Sequence, residues 1–266
     1  MWSVSNGEYI RILYSDGTDC VVDRNGTQVW IWWPELCEVV DVVPYLQGQL
    51  LGLVQRLRGV TCLHASAVLI GESAIALTGP RGSGKSSTAA AFLQLGFPVI
   101  ADDVTPIFEE AGRFMARPAH PRLWLNPDMV KNLYGSSEAL PQFAPSWEKR
   151  YLDLNSAGPG LPLEAKPLVG VYVLSDRADE PDRPKVTEAA PQDTMLQLLC
   201  NTYMNHFLDP EMRSREFALL SRLQQKVPVL LVHPHNHVSK IPLLCQTILE
   251  DVAERALSRR AILHRP

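Results

Sequence analysis

The stretch LTGPRGSGKSSTAAAFLQLGFPVIADDVTPI, residues 77–107, decides how this chain is read. An apolar run, AIALT (74–78), leads into the loop Gly79-Pro80-Arg81-Gly82-Ser83-Gly84-Lys85-Ser86, which matches G-x-x-x-x-G-K-[ST] once in the chain. At ordinary residue usage, chance alone gives such a match in roughly one chain in a hundred of this length. An alanine-rich segment follows, with the composition of a helix over 85–95, and then a strand, FPVIADD. Glycines at 79, 82 and 84 let backbone N–H groups converge on phosphate oxygens with no Cβ in the way. The positive end of the helix adds to that field. Lys85 can neutralise β- and γ-phosphates, and the Ser86 hydroxyl can ligate Mg²⁺. These residues, with Ser87, are therefore the candidate ATP site. The competing reading is a glycine turn that only caps a helix.

Two adjacent aspartates, Asp102 and Asp103, close the next strand, eighteen residues beyond Lys85. That strand is expected beside the glycine-loop strand, in a fold that places ligands at the C-terminal ends of parallel strands. Neighbouring strand residues face opposite ways, but at a strand end both can bend toward one site. One carboxylate can hold Mg²⁺ and the other can accept a proton from an attacking hydroxyl. An Asx turn or a helix cap is the plainer alternative. His64, in the strand before the loop strand, reads on its own as an ordinary core or edge histidine.

Composition sets outer limits. The 266 residues are 46% hydrophobic and 20% charged, with a net charge of −4. This suits a globular chain with a sizeable core and shows no basic field for nucleic acid or anionic membrane. The basic run at 255–265 reads as a solvated helix end. Five scattered cysteines with no CxxC pair argue against a disulfide framework or a zinc site, and free buried thiols in a reducing cytoplasm are expected. No signal-peptide pattern opens the chain, and no apolar run approaches the length of about 18 residues of a membrane span.

Residues 1–60 read as a small β-meander followed by a helix. EYIRILYS, TDCVVD and TQVWIWW are separated by Asp16-Gly17 and Asn25-Gly26, both suited to hairpin turns. Trp30, Trp32 and Trp33 are expected as a packing edge, with an aromatic ligand box as the alternative. Helical spacing begins after Pro44, in YLQGQLLGLVQRLRG, with Gly59 as its stop. From residue 61 to 266 strands and helices alternate: CLHASAVLI and SAIALTG joined at Gly71-Glu72, then the loop, helix and FPVIADD. PLVGVYVLSD and VPVLLVH read as buried strands. QDTMLQLLCNTYMNHF, PEMRSREFALLSRLQQK and SKIPLLCQTILEDVAERAL read as helices. The proline-rich stretch 109–166 is expected to be irregular, with short strands and NPDMVKNLYG as a short helix. The class is α/β.

His64-Ala-Ser-Ala-Val, GPRGSGKS and Ala101-Asp102-Asp103 together resemble the HPr kinase/phosphorylase family. The resemblance includes its shorter relatives found with lasso-peptide and other peptide-tailoring genes. It is specific over 63–106, weaker through RPAHPRLWL and KVPVLLVHP, and does not extend to residues 1–60. It implies a P-loop kinase core of the type shared with phosphoenolpyruvate carboxykinase, and phosphoryl transfer from ATP to a serine of a peptide or protein. By position, Lys85 then binds phosphate, Ser86 binds Mg²⁺, Asp103 accepts the proton, His64 joins the active site, and Asp102 supports the metal or the base. The sequence lacks that family's E-I-R-G-L-G motif; Asp128 stands at the corresponding offset, and Ser87 replaces a usual acid. Arg213 and Arg215 are candidates for an active-site arginine, or simply exposed helix residues.

Three readings follow: an ATP-dependent serine kinase acting on a peptide or small protein, a small-molecule kinase with the same machinery, or an ATP-binding regulator. The paired aspartates and His64 favour the kinases. The expected setting is cytoplasmic, without nucleic-acid or membrane partners, and a homo-oligomer is left open.

Overall fold

The protein, described here from a computed structural model, is a mixed α/β molecule. Residues 2–5, 7–144, 147–157, 161–180 and 182–263 are described. The chain opens with a four-stranded antiparallel meander: β1 (Trp2–Ser5), β2 (Tyr9–Leu13), β3 (Asp19–Asp23) and β4 (Val29–Trp32). The two turns form where Gly17 and Gly26 stand at positive φ; β1 is an addition to the three strands expected. Alternation puts Ile10, Ile12, Cys20 and Val22 on one face, where they bury against Leu50, Leu53 and Val54.

Trp30, Trp32 and Trp33 do not form a packing edge. Val29 and Ile31 take the inner face of β4, so Trp30 and Trp32 point away. Trp30 meets the ring of Tyr9, while Trp32 and Trp33 are exposed.

The following helix starts earlier than its spacing suggests. α1 (Val39–Tyr45) carries Pro44 inside it, a π-helical turn spans Leu46–Leu50, and α2 (Leu51–Leu57) completes the rod. Proline removes one rung of the hydrogen-bond ladder, and just beyond it the helix widens to i→i+5 bonding for one turn. The Asp41 carboxylate, at the third helical position, accepts a hydrogen bond from the Glu38 N–H and fixes the start. Gly59, at positive φ, follows the last turn.

A nine-stranded sheet forms the centre, with a separate β11–β12 ribbon. Its elements run β5 (Thr61–Leu63), β6 (Ala65–Ile70), β7 (Ser73–Thr78), α3 (Lys85–Gln94), β8 (Val99–Ala101), β9 (Thr105–Glu110) and β10 (Arg113–Ala116). β11 (Arg122–Leu125), α4 (Pro127–Tyr134), β12 (Arg150–Asp153), β13 (Lys166–Leu174) and β14 (Lys185–Glu188) follow. α5 (Pro191–Cys200), α6 (Pro210–Lys226), β15 (Val229–His233) and α7 (Ile241–Leu263) end the chain. The strand order is β5-β9-β10-β13-β7-β6-β8, with β15 also on β13 and β14 on β15. The sheet curls: Thr105, opening β9, donates its hydroxyl to the Ala65 carbonyl at 2.8 Å.

β7 and β13 are buried on both faces, hence their near-continuous apolar sequences. Ile75, Leu77, Tyr172 and Leu174 face one layer with Phe92 of α3 and Ile248 of α7. Ala74, Ala76, Val171 and Val173 face the other with Leu198 of α5 and Leu220 of α6.

Three further expectations change. β8 does not lie beside β7; β6 runs between them, antiparallel to both. The helix expected over 192–207 stops at Cys200, because the Tyr203 N–H turns to the Cys62 carbonyl of β5 and Met204 takes φ +50°. Among the cysteines, all free, Cys20, Cys62 and Cys245 are buried but Cys200 is exposed. α7 continues through the basic run, and Arg255 pairs with Asp251 and Glu188; the side chains of 259–266 lie outside the described residues.

Gly52 is where α2 meets the rest of the chain. A Cβ there would overlap the Tyr203 ring and press on Val104 Cγ2 at 3.0 Å. Alanine gains about 1 kcal/mol in helix propensity, but overpacking costs about 1–3 kcal/mol. Gly52→Ala should therefore lower stability in urea denaturation. Equal or greater stability would show that α2 and Tyr203 are not in tight contact.

Candidate functional site

Because β6 is antiparallel to both neighbours, β7 and β8 run parallel and their C-terminal ends share an edge with the start of β6. That topology brings the glycine loop, the aspartate pair and His64 to one place. Ala65 pairs with Thr78, and Ala67 with Ala101. The Thr78 hydroxyl donates to the His64 carbonyl at 2.9 Å.

The loop is shaped by what surrounds it. Gly79 has φ +141°, and a Cβ there would overlap the carbonyl of Leu174 at the end of β13. Gly84 has φ +98° and caps α3, with no side chain bonding the first-turn N–H groups. The N–H groups of Lys85, Ser86 and Ser87 thus open the helix as donors. Ser83 Oγ is buried with no hydrogen-bond partner. The Lys85 ammonium rests on the carbonyls of Gly79 and Pro80, at 2.9 and 3.1 Å. Burial draws its pKa down, against the pull of Asp103 and Asp102. Pro80, Arg81 and Gly82 form the exposed lip.

Asp102 is buried, 6% exposed, and ties four elements together. Its Oδ1 accepts from Ser66 Oγ of β6 at 2.6 Å and from Ser86 Oγ of α3 at 2.9 Å. Its Oδ2 accepts from the Trp124 N–H of β11 at 3.3 Å. Burial raises its pKa, opposed by the hydroxyls and reinforced by the charge of Asp103. The site at Asp102, Ser86 and Ser66 offers oxygen ligands alone, a donor set that fits Mg²⁺. Among the described residues no group of three or more His, Cys, Asp or Glu side chains is placed to hold a metal. Asp128 is exposed in the first turn of α4.

Asp103 has φ +66°, and the Val104 N–H closes back on the Asp102 carbonyl at 2.8 Å. This three-residue γ-turn, strained for a residue with a side chain, turns both carboxylates toward the site. Asp103 Oδ1 lies 3.1 Å from His64 Nε2, and Oδ2 accepts from Tyr203 OH at 3.4 Å. Burial pushes the Asp103 carboxyl up, but the His64 hydrogen bond and the positive charges of His64, Lys149 and Lys85 outweigh it. Its pKa is held below the ordinary range. The carboxylate is still 42% exposed. Burial and the Asp103 charge push the Tyr203 hydroxyl well up, so it stays a donor.

Ser66, Trp124, Lys149 and Tyr203 went unrecognised as site residues in the sequence. Ser66 alone left a signal, inside His64-Ala-Ser-Ala-Val. Gly48, in the π-helical turn, also faces the site: a Cβ there would meet only Asp103 Oδ2, at 3.9 Å. Arg213 and Arg215 are placed elsewhere. Arg213 Nε donates to the Leu208 carbonyl, and Arg215 lies 3.9 Å from Glu211.

No protein-family model matches the chain, and no curated protein matches it. Among solved structures, the HPr(Ser) kinase/phosphatase from Coxiella burnetii matches with a TM-score of 0.44 and 12% identity, over 77% of this chain and 99% of that one.

The raised pKa of Asp102 has a signed consequence for stability. The folded state holds that proton more tightly than the unfolded chain does. Stability is therefore lost as pH rises from the ordinary carboxylate range, near 4, through the folded pKa. Asp102→Asn removes the charge and keeps the shape. In metal-free buffer the melting temperature of the variant minus that of the parent should grow more positive from pH 4 to pH 8. A flat or falling difference would mean that the buried charge is already compensated.

Proposed function

We propose that this protein is an ATP-dependent kinase that transfers the γ-phosphoryl group to a serine hydroxyl of a peptide or small protein. The observation that carries this reading is the meeting of Lys85, the Ser86–Asp102 pair and the His64–Asp103 pair at one sheet edge. A glycine turn used only as a cap would need neither carboxylate, and a regulator would have no use for an exposed, hydrogen-bonded Asp103. The motif resemblance over 63–106 supports the serine acceptor and a role in peptide tailoring, and a P-loop kinase core over 61–266.

In this reading the loop N–H groups and Lys85 hold the β- and γ-phosphates. Lys85 leaves the carbonyls of Gly79 and Pro80 for stronger, charge-assisted bonds. Ser86 and Asp102 would hold Mg²⁺, which when bound neutralises phosphate charge. The acceptor hydroxyl approaches Asp103 from the side that Gly48 leaves clear. Its oxygen forms a bond to the γ-phosphorus as the bond to the bridging oxygen of ADP breaks, and its proton passes to Asp103. His64 and Tyr203 position that carboxylate. Catalysis is then orientation plus fixed charge. Residues 1–60 contribute the acceptor wall through Gly48.

Purified protein incubated with Mg²⁺, ATP and serine-containing peptides, read by mass spectrometry, should give products heavier by one phosphoryl group. Lys85→Ala should abolish transfer and weaken ATP binding. Asp103→Asn should keep ATP affinity and lose kcat by a factor of roughly 10²–10⁴, whereas Asp102→Asn should need more Mg²⁺. A nucleotide-dependent rise in melting temperature without any product would favour the regulator, and full turnover by Lys85→Ala would overturn the loop assignment.

A further inference from the structure

The glycine loop has a second cationic neighbour, from the side of the sheet opposite the aspartates. Arg177 lies three residues beyond β13, the strand that pairs in parallel with β7. Its Nε donates to the Ser83 carbonyl at 3.3 Å. A Cβ built on Gly84 would overlap the guanidinium, closest to Nη2. Gly84 therefore has two reasons to be glycine: its positive φ, and the arginine resting against it.

Arg177 is half-buried, and no ion pair is recorded for it among the described residues. Asp176, Asp179 and Glu180 flank it in the chain, but among the described residues none of them forms an ion pair with it. Burial lowers its pKa. A guanidinium presents five donors in a rigid fork and keeps its charge. Here Nε donates to a carbonyl, and Nη2 lies against Gly84 at the edge of the phosphate cradle.

Topology sets which phosphates it can meet. β7 has β6 and then β8 on one side and β13 on the other. His64, Asp102 and Asp103 come from the first side, Arg177 from the second. A triphosphate lying across the loop keeps its γ-phosphate at the carboxylates, where transfer occurs. Its other end then points toward β13.

We propose that Arg177 is a second phosphate-binding cation, holding the α- and β-phosphates and orienting the nucleotide with its base toward β13 and its γ-phosphate toward Asp103. This rests on the nucleotide reading given above. The chemical class it selects is a nucleoside di- or triphosphate, in contrast to a monophosphate or a lone phosphate ion.

The test measures binding of Mg²⁺–ADP and of a non-hydrolysable Mg²⁺–ATP analogue by calorimetry. It compares the parent, Arg177→Gln and Arg177→Lys, with ligand-free melting temperatures alongside. Arg177→Gln should weaken both ligands by about 10- to 100-fold, the range for a hydrogen bond to a charged group. Arg177→Lys keeps the charge without the fork and should fall between. The ligand-free melting temperature should not fall in either variant. Unchanged affinity for both ligands, at a lowered melting temperature or not, would make Arg177 a prop for the loop and overturn the assignment. Loss confined to the ATP analogue would place the guanidinium on the γ-phosphate and also overturn it. If the parent binds neither ligand, the nucleotide reading itself fails, and this inference with it.

Discussion

A buried carboxylate sets the terms for the rest of the site. Asp102 is removed from water and accepts hydrogen bonds from a strand, a helix start and a ribbon, yet among the described residues it forms no ion pair. Hydroxyl and amide donors offset part of the cost of burying a charge, but not all of it. The remaining cost shows as its raised pKa. In the reading proposed above, a cation held by Ser86 and Asp102 would offset that cost. The neighbouring carboxylate is treated in the opposite way. Asp103 is part-exposed and surrounded by donors and cations, which hold it ionised. Two adjacent residues of one type are thus driven apart in pKa by their surroundings.

The backbone achieves this separation with one turn. In a continuing strand Asp102 and Asp103 would face opposite sides of the sheet. The γ-turn at Asp103, at φ +66°, breaks the alternation and is held by its surroundings: the His64 ring, the Tyr203 hydroxyl and the approach of the N-terminal helix rod. The rod comes this close at Gly52, where a Cβ would overlap the Tyr203 ring. Gly48 lies over Asp103 and Gly52 over Tyr203, one helical turn apart. The N-terminal meander, buried against the same rod, is in this way coupled to the geometry of a carboxylate that it never touches.

Local features of the site could be read in the sequence, and its assembly could not. The loop, the helix after it and the paired aspartates are consecutive, and their residue types state their chemistry. The hairpin turns at Gly17 and Gly26 and the buried strands around PLVGVYVLSD were legible for the same reason. Strand order was not: nothing in FPVIADD distinguishes pairing with β7 from pairing with β6. Tyr203 was hidden in a segment with helical composition, and its escape from the helix depends on a hydrogen bond to Cys62, over 140 residues earlier in the chain. Pro44 misled in the ordinary way, since a proline is a better guide to where a helix begins than to where one widens. Trp32 and Trp33 misled because aromatic bulk predicts burial, whereas the alternation of β4 had already given the inner face to Val29 and Ile31.

The charges around the glycine loop form a gradient. On the β8 side lie two carboxylates, with Lys149 near enough to act on both Asp103 and Lys85. In the middle Lys85 is held on carbonyl oxygens. On the β13 side Arg177 donates to the Ser83 carbonyl and forms no ion pair among the described residues. A polyanion laid across this edge would meet Lys85 and Arg177 as cations, but its two ends would not be equivalent. The end beside the aspartates is repelled unless a cation is held between them, and the end beside Arg177 is not. A symmetrical anion would gain nothing from that difference. In the reading proposed above, a nucleoside triphosphate, whose reactive phosphoryl group is at one end and whose base is at the other, would be oriented by it.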